Sequence, residues 1–229
     1  MKAMILAAGL GNRMRPLTLH TPKPLLEVGD KPLIVWHIEK LRDLGVTEIV
    51  INTAWLADKL VDALGDGSAL GIQILWSHEG EGLETAGGII NALPLLGDEP
   101  FILVNGDVWT TMDFAPLLKV KLNANLAHLV LVDNPIQHPQ GDFTLSDDKA
   151  YTFEQQAKGE NLTFSGVSVI HPHLFTGLEA GKRALAPLLK AAMLEGKIAA
   201  SKLQGDWVDV GTPERLAQLD QQIRTGQYA

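Results

Sequence analysis

Cysteine is absent from the 229 residues. That absence excludes disulfides, thiolate nucleophiles and cysteine-built zinc or iron–sulfur sites. Long apolar runs are missing as well, and none approaches the ~20 residues of a membrane-crossing helix. Positive charge is scarce: 19 Lys and Arg face 27 Asp and Glu, for a formal charge of −8. A general nucleic-acid binder shows the reverse balance. The hydrophobic share of 46% and the charged share of 20% are those of a globular chain, which excludes overall disorder.

The few basic residues are unevenly spread. Residues 1–40 hold six (Lys2, Arg13, Arg15, Lys23, Lys31, Lys40) against three acids (Glu27, Asp30, Glu39). A basic segment in an acidic chain points to a local anion site. The apolar start, Met1–Ala8, is followed at once by Gly11, Arg13 and Arg15. A secretory leader has a longer apolar region and a small-residue cleavage site, so a cytoplasmic protein is expected.

Apolar β-type runs alternate with amphipathic segments. Ala3–Ala8, Glu48–Asn52, Ile72–Trp76 and Phe101–Val104 read as strands. Pro32–Leu44, Trp55–Leu64 and Thr85–Leu95 read as helices from their 3–4 spacing of apolar residues. This alternation predicts an α/β fold with a parallel sheet covered by helices on both faces. Past residue 125 the pattern changes. Ala127–Val132 and Phe164–Ile170 read as strands, and Asp142–Leu145 with Ala150–Glu154 as a hairpin turning at Ser146–Lys149. Leu185–Leu194 and Pro213–Ile223 read as helices, with strands at Ile198–Leu203 and Trp207–Val210. No linker or repeat divides residues 1–229, so one domain is expected.

Ligands of such sheets bind at the carboxyl ends of the strands. Two loops, Gly9–Pro16 and Asn105–Asp107, are placed there. The first reads Leu-Ala-Ala-Gly9-Leu-Gly11-Asn12-Arg13-Met-Arg-Pro-Leu-Thr18. Glycines after a strand let backbone amides approach a phosphate or a base, and Arg13 offers a planar cationic fork. Lys23 stands between Pro22 and Pro24, which limit where its ammonium can go. A Gly-x-Gly turn alone is also an ordinary strand-ending loop. The third glycine of the dinucleotide fingerprint is missing, as is the Gly-Lys-Ser/Thr of the Walker loop, which opposes an NAD(P)-dependent oxidoreductase. Asp107 and Asp209 each end an apolar strand. Either is a cap residue or an oxygen ligand of the kind magnesium prefers.

Taken together, these stretches resemble the sugar-1-phosphate nucleotidyltransferases. The resemblance rests on Leu6–Thr18, Lys23 between prolines, Asn105-Gly106-Asp107, Glu81–Gly88 and Trp207-x-Asp209-x-Gly211-Thr212. It implies a Rossmann-like three-layer α/β/α fold with a mixed, mainly parallel sheet. Residues 1–110 would form the nucleotide-binding half and 111–229 the sugar-binding half. Arg13 and Lys23 would be the catalytic phosphate-binding cations. Ala8, Gly9, Gly11, Asn12, Glu81, Gly82 and Gly88 would join them around the nucleotide. Asn105, Gly141, Asp142, Glu154, Ser165 and Gly166 would line the sugar, and Asp107 and Asp209 would hold Mg2+. Many relatives carry a lysine just after the hairpin glutamate. Here Gln155 and Gln156 follow Glu154, and Lys158 is out of register, so the sugar phosphate would fall to Lys23 or to the metal.

Val104–Trp109, Gly141-Asp-Phe143 and Phe164-Ser-Gly166 are similar to the branch that uridylylates N-acetylmuramic acid 1-phosphate in bacterial cell-wall recycling. The partners implied are UTP and a sugar 1-phosphate, without nucleic acid or membrane, and the short chain implies a monomer. Other sugar and base pairs (mannose 1-phosphate with GTP, glucose 1-phosphate with dTTP or UTP) fit the same motifs. A non-catalytic nucleotide-binding regulatory module would share the fold, but the joint presence of Arg13, Lys23, Asp107 and Asp209 opposes it.

His171-Pro172-His173 reads as strand-end punctuation, and His78 and His138 as solvated loop residues. Trp36 and Trp55 fall on apolar helix faces and are expected in the core. Trp109 and Trp207 flank the two aspartates, as core or pocket wall.

Overall fold

A computed structural model describes residues 1–228. In chain order the strands are β1 (Ala3–Leu6), β2 (Glu27–Val28), β3 (Lys31–Pro32), β4 (Glu48–Thr53), β5 (Gln73–His78), β6 (Phe101–Asn105), β7 (Val108–Thr110), β8 (Ala127–Val132), β9 (Phe143–Ser146), β10 (Lys149–Tyr151), β11 (Glu160–Ile170), β12 (Ile198–Lys202) and β13 (Trp207–Asp209). The α-helices are α1 (Leu33–Asp43), α2 (Ala57–Leu64), α3 (Glu84–Leu96), α4 (Ala186–Leu194) and α5 (Pro213–Arg224).

Nine strands form one mixed sheet in the order β5-β4-β1-β6-β11-β8-β12-β10-β9. The first four are parallel. The antiparallel β11 then joins β6 to β8. Its early residues, Glu160–Leu162, also pair with β9, so the far end of the sheet curls back on itself. The hairpin turn Asp147-Asp148 takes positive φ at both residues, as a two-residue turn that matches strand twist requires.

Alternate residues of each central strand feed opposite faces. Ala3, Ile5, Ile49, Ile51, Ile102 and Val104 pack with Ile34, Ile38 and Leu41 of α1 and Leu60 and Leu64 of α2. Met4, Val50, Phe101 and Leu103 pack on the other side with Ile89 of α3 and Leu189 of α4. The three-layer α/β/α expectation is therefore met. A third cluster joins the β2–β3 ribbon, Trp109 and Val210 to Leu219 of α5. The strand expected at Trp207–Val210 is β13, but its partner β7 and the β2–β3 ribbon carry no sequence signal, being two or three residues per strand and too short for a period of two.

The tryptophans divide. Trp36 meets Trp109 edge to face, with ring centroids 6.0 Å apart, and the indole N–H of Trp36 donates to Val28 O. Trp55 is not in the core: it is 41% exposed, and its indole N–H donates to Thr18 O at 3.1 Å. Leu56 adopts a left-handed conformation (φ 53°), so α2 starts only at Ala57 and Trp55 lies outside the helix. Among the described residues no helix is long and apolar enough to cross a membrane.

His37 of α1 is fully buried, stacked near Phe114, and its Nε2 donates to Val108 O at 2.8 Å. Burial lowers its pKa to about 4, outweighing the opposing backbone hydrogen bond to Val108. Between pH 6.5 and 4 the unfolded chain therefore binds a proton that the folded one does not. Stability from this group is complete above pH 6.5 and is lost as pH falls towards 4, by about 3 kcal/mol in all at ~1.4 kcal/mol per pKa unit. Urea unfolding across that range is expected to show this slope, and His37→Gln to flatten it. Equal slopes in both proteins would contradict the buried neutral imidazole.

Candidate functional site

Strands β1, β4 and β6 end together: Leu6 pairs with Asn52 on one side and Asn105 on the other. Past Leu6 the main chain turns away and other groups replace the ladder. The Ala7 N–H donates to the Asn52 side chain at 2.8 Å. The Gly106 N–H donates to Leu6 O at 2.9 Å. A Cβ at Gly106 would stand 2.6 Å from that same oxygen, so the Asn105-Gly106-Asp107 turn crosses the end of β1 only with glycine.

These ends floor a cleft of about 290 Å³. One wall is Leu6–Leu10 and the other Gly82–Thr85. Lys23, Pro24, Asn105, Gly106 and Asp107 close the end, while Asn52 and Glu79 lie at the base. The two loops placed at one crevice by the sequence thus share it through their first residues. Of the expected site residues, Ala8, Gly9, Lys23, Gly82, Asn105 and Asp107 line the cleft.

Lys23 is buried on a short 3-10 turn (Lys23–Leu25), and its ammonium meets Asp107 Oδ2 at 2.7 Å. The pair joins the basic N-terminal segment to the end of β6. Asp107 is further fixed through its main chain. Its carbonyl accepts from Val210 N at 3.0 Å, and the next carbonyl, Val108 O, accepts from His37.

Asp209 pairs in register with Val108 across the β7–β13 ribbon, one step from Asp107. Its Oδ2 accepts from Arg215 Nη1 at 2.6 Å, and it lines a second hollow with Trp207, Arg215 and Tyr228. Trp207 is thus a pocket wall, and Trp109 is core. Both aspartates are the oxygen donors magnesium prefers, and their main chains are held by one ribbon. Among the described residues no cluster of three His, Cys, Asp or Glu would hold a metal without outside help. Each carboxylate is held by a cation of the protein, Asp107 by Lys23 and Asp209 by Arg215, and a magnesium ion there would need water and phosphate oxygens to complete its shell.

The remaining expected residues lie elsewhere. Arg13 and Asn12 are exposed on a 3-10 turn (Asn12–Met14) beyond the cleft wall. Gly11 has φ 61°, and a Cβ there would meet Thr18 Cγ2 at 2.7 Å, so this glycine serves the turn. Gly88 is buried in α3, and its missing side chain clears Glu79 and Asn52. Glu81 is exposed on the loop before Gly82. Gly166 makes room for Asn105, whose Cβ would lie 2.8 Å from a Cβ at 166. Ser165 is buried, and its carbonyl accepts from the Trp207 indole at 2.8 Å. Gly141 (φ 72°) packs on Leu162 O, and Asp142 accepts from Phe164 N at 2.8 Å and from His138 at 3.0 Å. Glu154 is exposed beyond β10, where Gln155 donates to Met193 O near the end of α4. His171 and His173 stack on each other at a strand end, with centroids 4.2 Å apart.

Leu83 lines the cleft within the Glu81–Gly88 stretch, whereas Asn52, Glu79 and Pro24 line it without being among the expected site residues. Asn52 was read as the last residue of a strand, and a buried glutamate gives no sequence signal of its own.

Gly9 and Gly82 differ from the other cleft glycine. An added Cβ at either meets nothing within 4 Å, and neither φ is positive. The fold itself does not require glycine there, so the open space is available to a ligand.

Residues 2–145 match the family described as Nucleotidyl transferase. An N-acetylmuramate alpha-1-phosphate uridylyltransferase from Neisseria meningitidis serogroup B is 54% identical over 221 residues, covering 94% of this chain and 95% of that one. Mannose-1-phosphate guanyltransferase beta-A of Xenopus laevis is 30% identical over 223 residues, and the match covers 93% of this chain and 62% of that one. The crystal structure of HddC from Yersinia pseudotuberculosis complexed with GMP-PN superposes with a TM-score of 0.78 at 22% identity, over 97% of this chain and 99% of that one. That last likeness bears on the fold.

The two kinds of glycine separate in a stability measurement. Gly11→Ala is expected to lose at least about 1–2 kcal/mol in urea unfolding, the cost of a left-handed non-glycine residue. Gly9→Ala is expected to unfold like the parent. Equal losses would contradict the assignment of Gly9 to ligand clearance.

Proposed function

The chain belongs to the nucleotidyl transferase family, and from that premise we propose that it transfers UMP from UTP to N-acetylmuramate α-1-phosphate. The products are UDP-N-acetylmuramate and pyrophosphate. The observation that carries this reading is the cleft: an ammonium at one end and glycine-bare walls beside it, at the strand ends where α/β sheets hold ligands. The 54% identical relative supplies the sugar and the base.

The reaction joins two anions. An oxygen of the sugar phosphate attacks the α-phosphorus of UTP in line, and the bond to the bridging oxygen of the pyrophosphate breaks. The nucleophile is ionised near neutrality, because a phosphate monoester has its second pKa at ~6. No general base is required, and charge neutralisation with positioning carries the rate. Lys23 is the cation already inside the cleft. On substrate entry its ammonium exchanges the Asp107 carboxylate for phosphate oxygens. Arg13, exposed beyond the glycine wall, adds a second cation from outside. The backbone of Ala8–Gly9 lies along the nucleotide, and Asn105, set by Gly166, faces the sugar. Asp107 and Asp209 would hold Mg2+, which when bound supplies neutralising charge to the phosphates.

Lys23→Ala is expected to lower kcat by about a hundredfold or more, the usual cost of one preorganised charge donor. Asp107→Asn is expected to remove the magnesium-stimulated rate. Pyrophosphate release with UTP, GTP, dTTP and CTP, each paired with several sugar 1-phosphates, tests the whole reading. Preference for UTP with N-acetylmuramate α-1-phosphate is the expected result. Turnover confined to mannose 1-phosphate with GTP would move the chain to the guanylyltransferase branch. No turnover with any pair would leave a nucleotide-binding module.

A further inference from the structure

Two buried polar side chains at the base of the cleft are not used by the chemistry above. Asn52 is 3% exposed and Glu79 is 6% exposed. Asn52 Oδ1 accepts the Ala7 N–H at 2.8 Å. Its Nδ2 donates to Glu79 Oε1 at 2.7 Å. Glu79 Oε2 accepts the Leu83 N–H at 2.8 Å. The main chain of Glu79 is itself anchored, since its N–H donates to Thr53 O at 2.8 Å. The three side-chain bonds run unbroken from one cleft wall to the other. Gly88 is bare to make room for them: a Cβ there would stand 2.4 Å from Glu79 Oε1 and 2.8 Å from Asn52 Nδ2.

We propose that Asn52 and Glu79 are a positioning pair that sets the spacing of the two walls, Ala7–Leu10 and Gly82–Thr85, between which the nucleotide lies. The proposal rests on the reading that the nucleotide occupies this cleft. Both ends of the chain of bonds are main-chain donors. The two side chains between them must therefore present an oxygen outward at each end and one amide N–H between. Among amides and ionised carboxylates, only one of each satisfies that pattern, in either order. Two amides leave an N–H facing an N–H. Two carboxylates face each other as buried like charges.

This polarity provides its own test, because Asn and Asp, and Glu and Gln, are equal in shape. N52D sets two carboxylates face to face. E79Q sets two amides in series. In N52D/E79Q the order is reversed and all three bonds can form again. The measurements are amide hydrogen exchange of the two wall segments in the ligand-free protein, and KM and kcat for UTP.

Each single variant is expected to speed exchange at least tenfold in both segments. It is also expected to raise KM for UTP at least tenfold with kcat within threefold. The double variant is expected to return both quantities to within threefold of the parent. A double variant as impaired as the worse single overturns the proposal. So does loosening confined to the segment next to the substitution, or an unchanged KM in a variant with loosened walls. Should a single variant fail to fold, the double decides. Folded and near the parent it supports the pair; unfolded or loose it overturns it. A parent protein without UTP turnover removes the functional reading, whereas the exchange arm still tests the pair.

Discussion

The cleft depends on how β1 stops. In the middle of a parallel sheet each strand carries hydrogen bonds to both neighbours, and ending one leaves main-chain groups to satisfy. Here the Asn52 side chain takes the next N–H on one side, and the Gly106 amide takes the last carbonyl on the other. The strand can therefore end inside the sheet without an orphaned group, and the chain can leave as a glycine loop. Everything at the site hangs from that exit. The Gly106 turn delivers Asp107, Asp107 meets Lys23, and the Val210 amide and His37 hold the turn from below.

The ion pair of Lys23 and Asp107 links two distant pieces of sequence. Lys23 is almost buried, and a buried ammonium without a partner is costly. Asp107 meets that requirement in the ligand-free protein, and phosphate oxygens can meet it when substrate is present. The basic surplus in residues 1–40 thus has a structural outlet in an otherwise acidic chain. One cation is inside, held by a carboxylate, and Arg13 stands outside. Such a division suits a reaction between two anions, because the inner charge is held in place before either arrives.

Much of the fold was legible because long apolar runs carry it. Ala127–Val132 has the same bounds in the sequence reading and in the structure; α1 and α3 differ from their expected limits by one residue at each end, and α5 by one residue at its C-terminal end. What escaped was short or three-dimensional. The β7–β13 ribbon is three residues a side, yet it brings Asp209 to Asp107. Arg13 carried a strong motif, but motifs say which residues recur and not where a side chain points. Glu154 reads as a sugar contact in the hairpin, and what the structure adds is that its neighbour Gln155 is tied to Met193 O of α4. Asn52 and Glu79 have no motif at all, since burial of a polar pair appears only when β4 and β5 are laid side by side.

The glycines show why a motif and a structure answer different questions. In the sequence, Gly9, Gly11 and Gly88 look alike, each placed near a nucleotide by resemblance. In the structure two of them answer separate constraints of the fold and the third answers none. Gly11 is required by a left-handed turn against Thr18, and Gly88 by the bulk of Glu79 and Asn52. Gly9 is required by nothing in the protein. A glycine costs folding entropy, so one that the fold does not need is unfavourable in the ligand-free chain. Its advantage has to come from what occupies the space beside it, and at Gly9 that space is the open cleft between the two walls. At Gly9 a position the fold does not constrain coincides with the wall of the cleft, and it is that coincidence that points to the ligand.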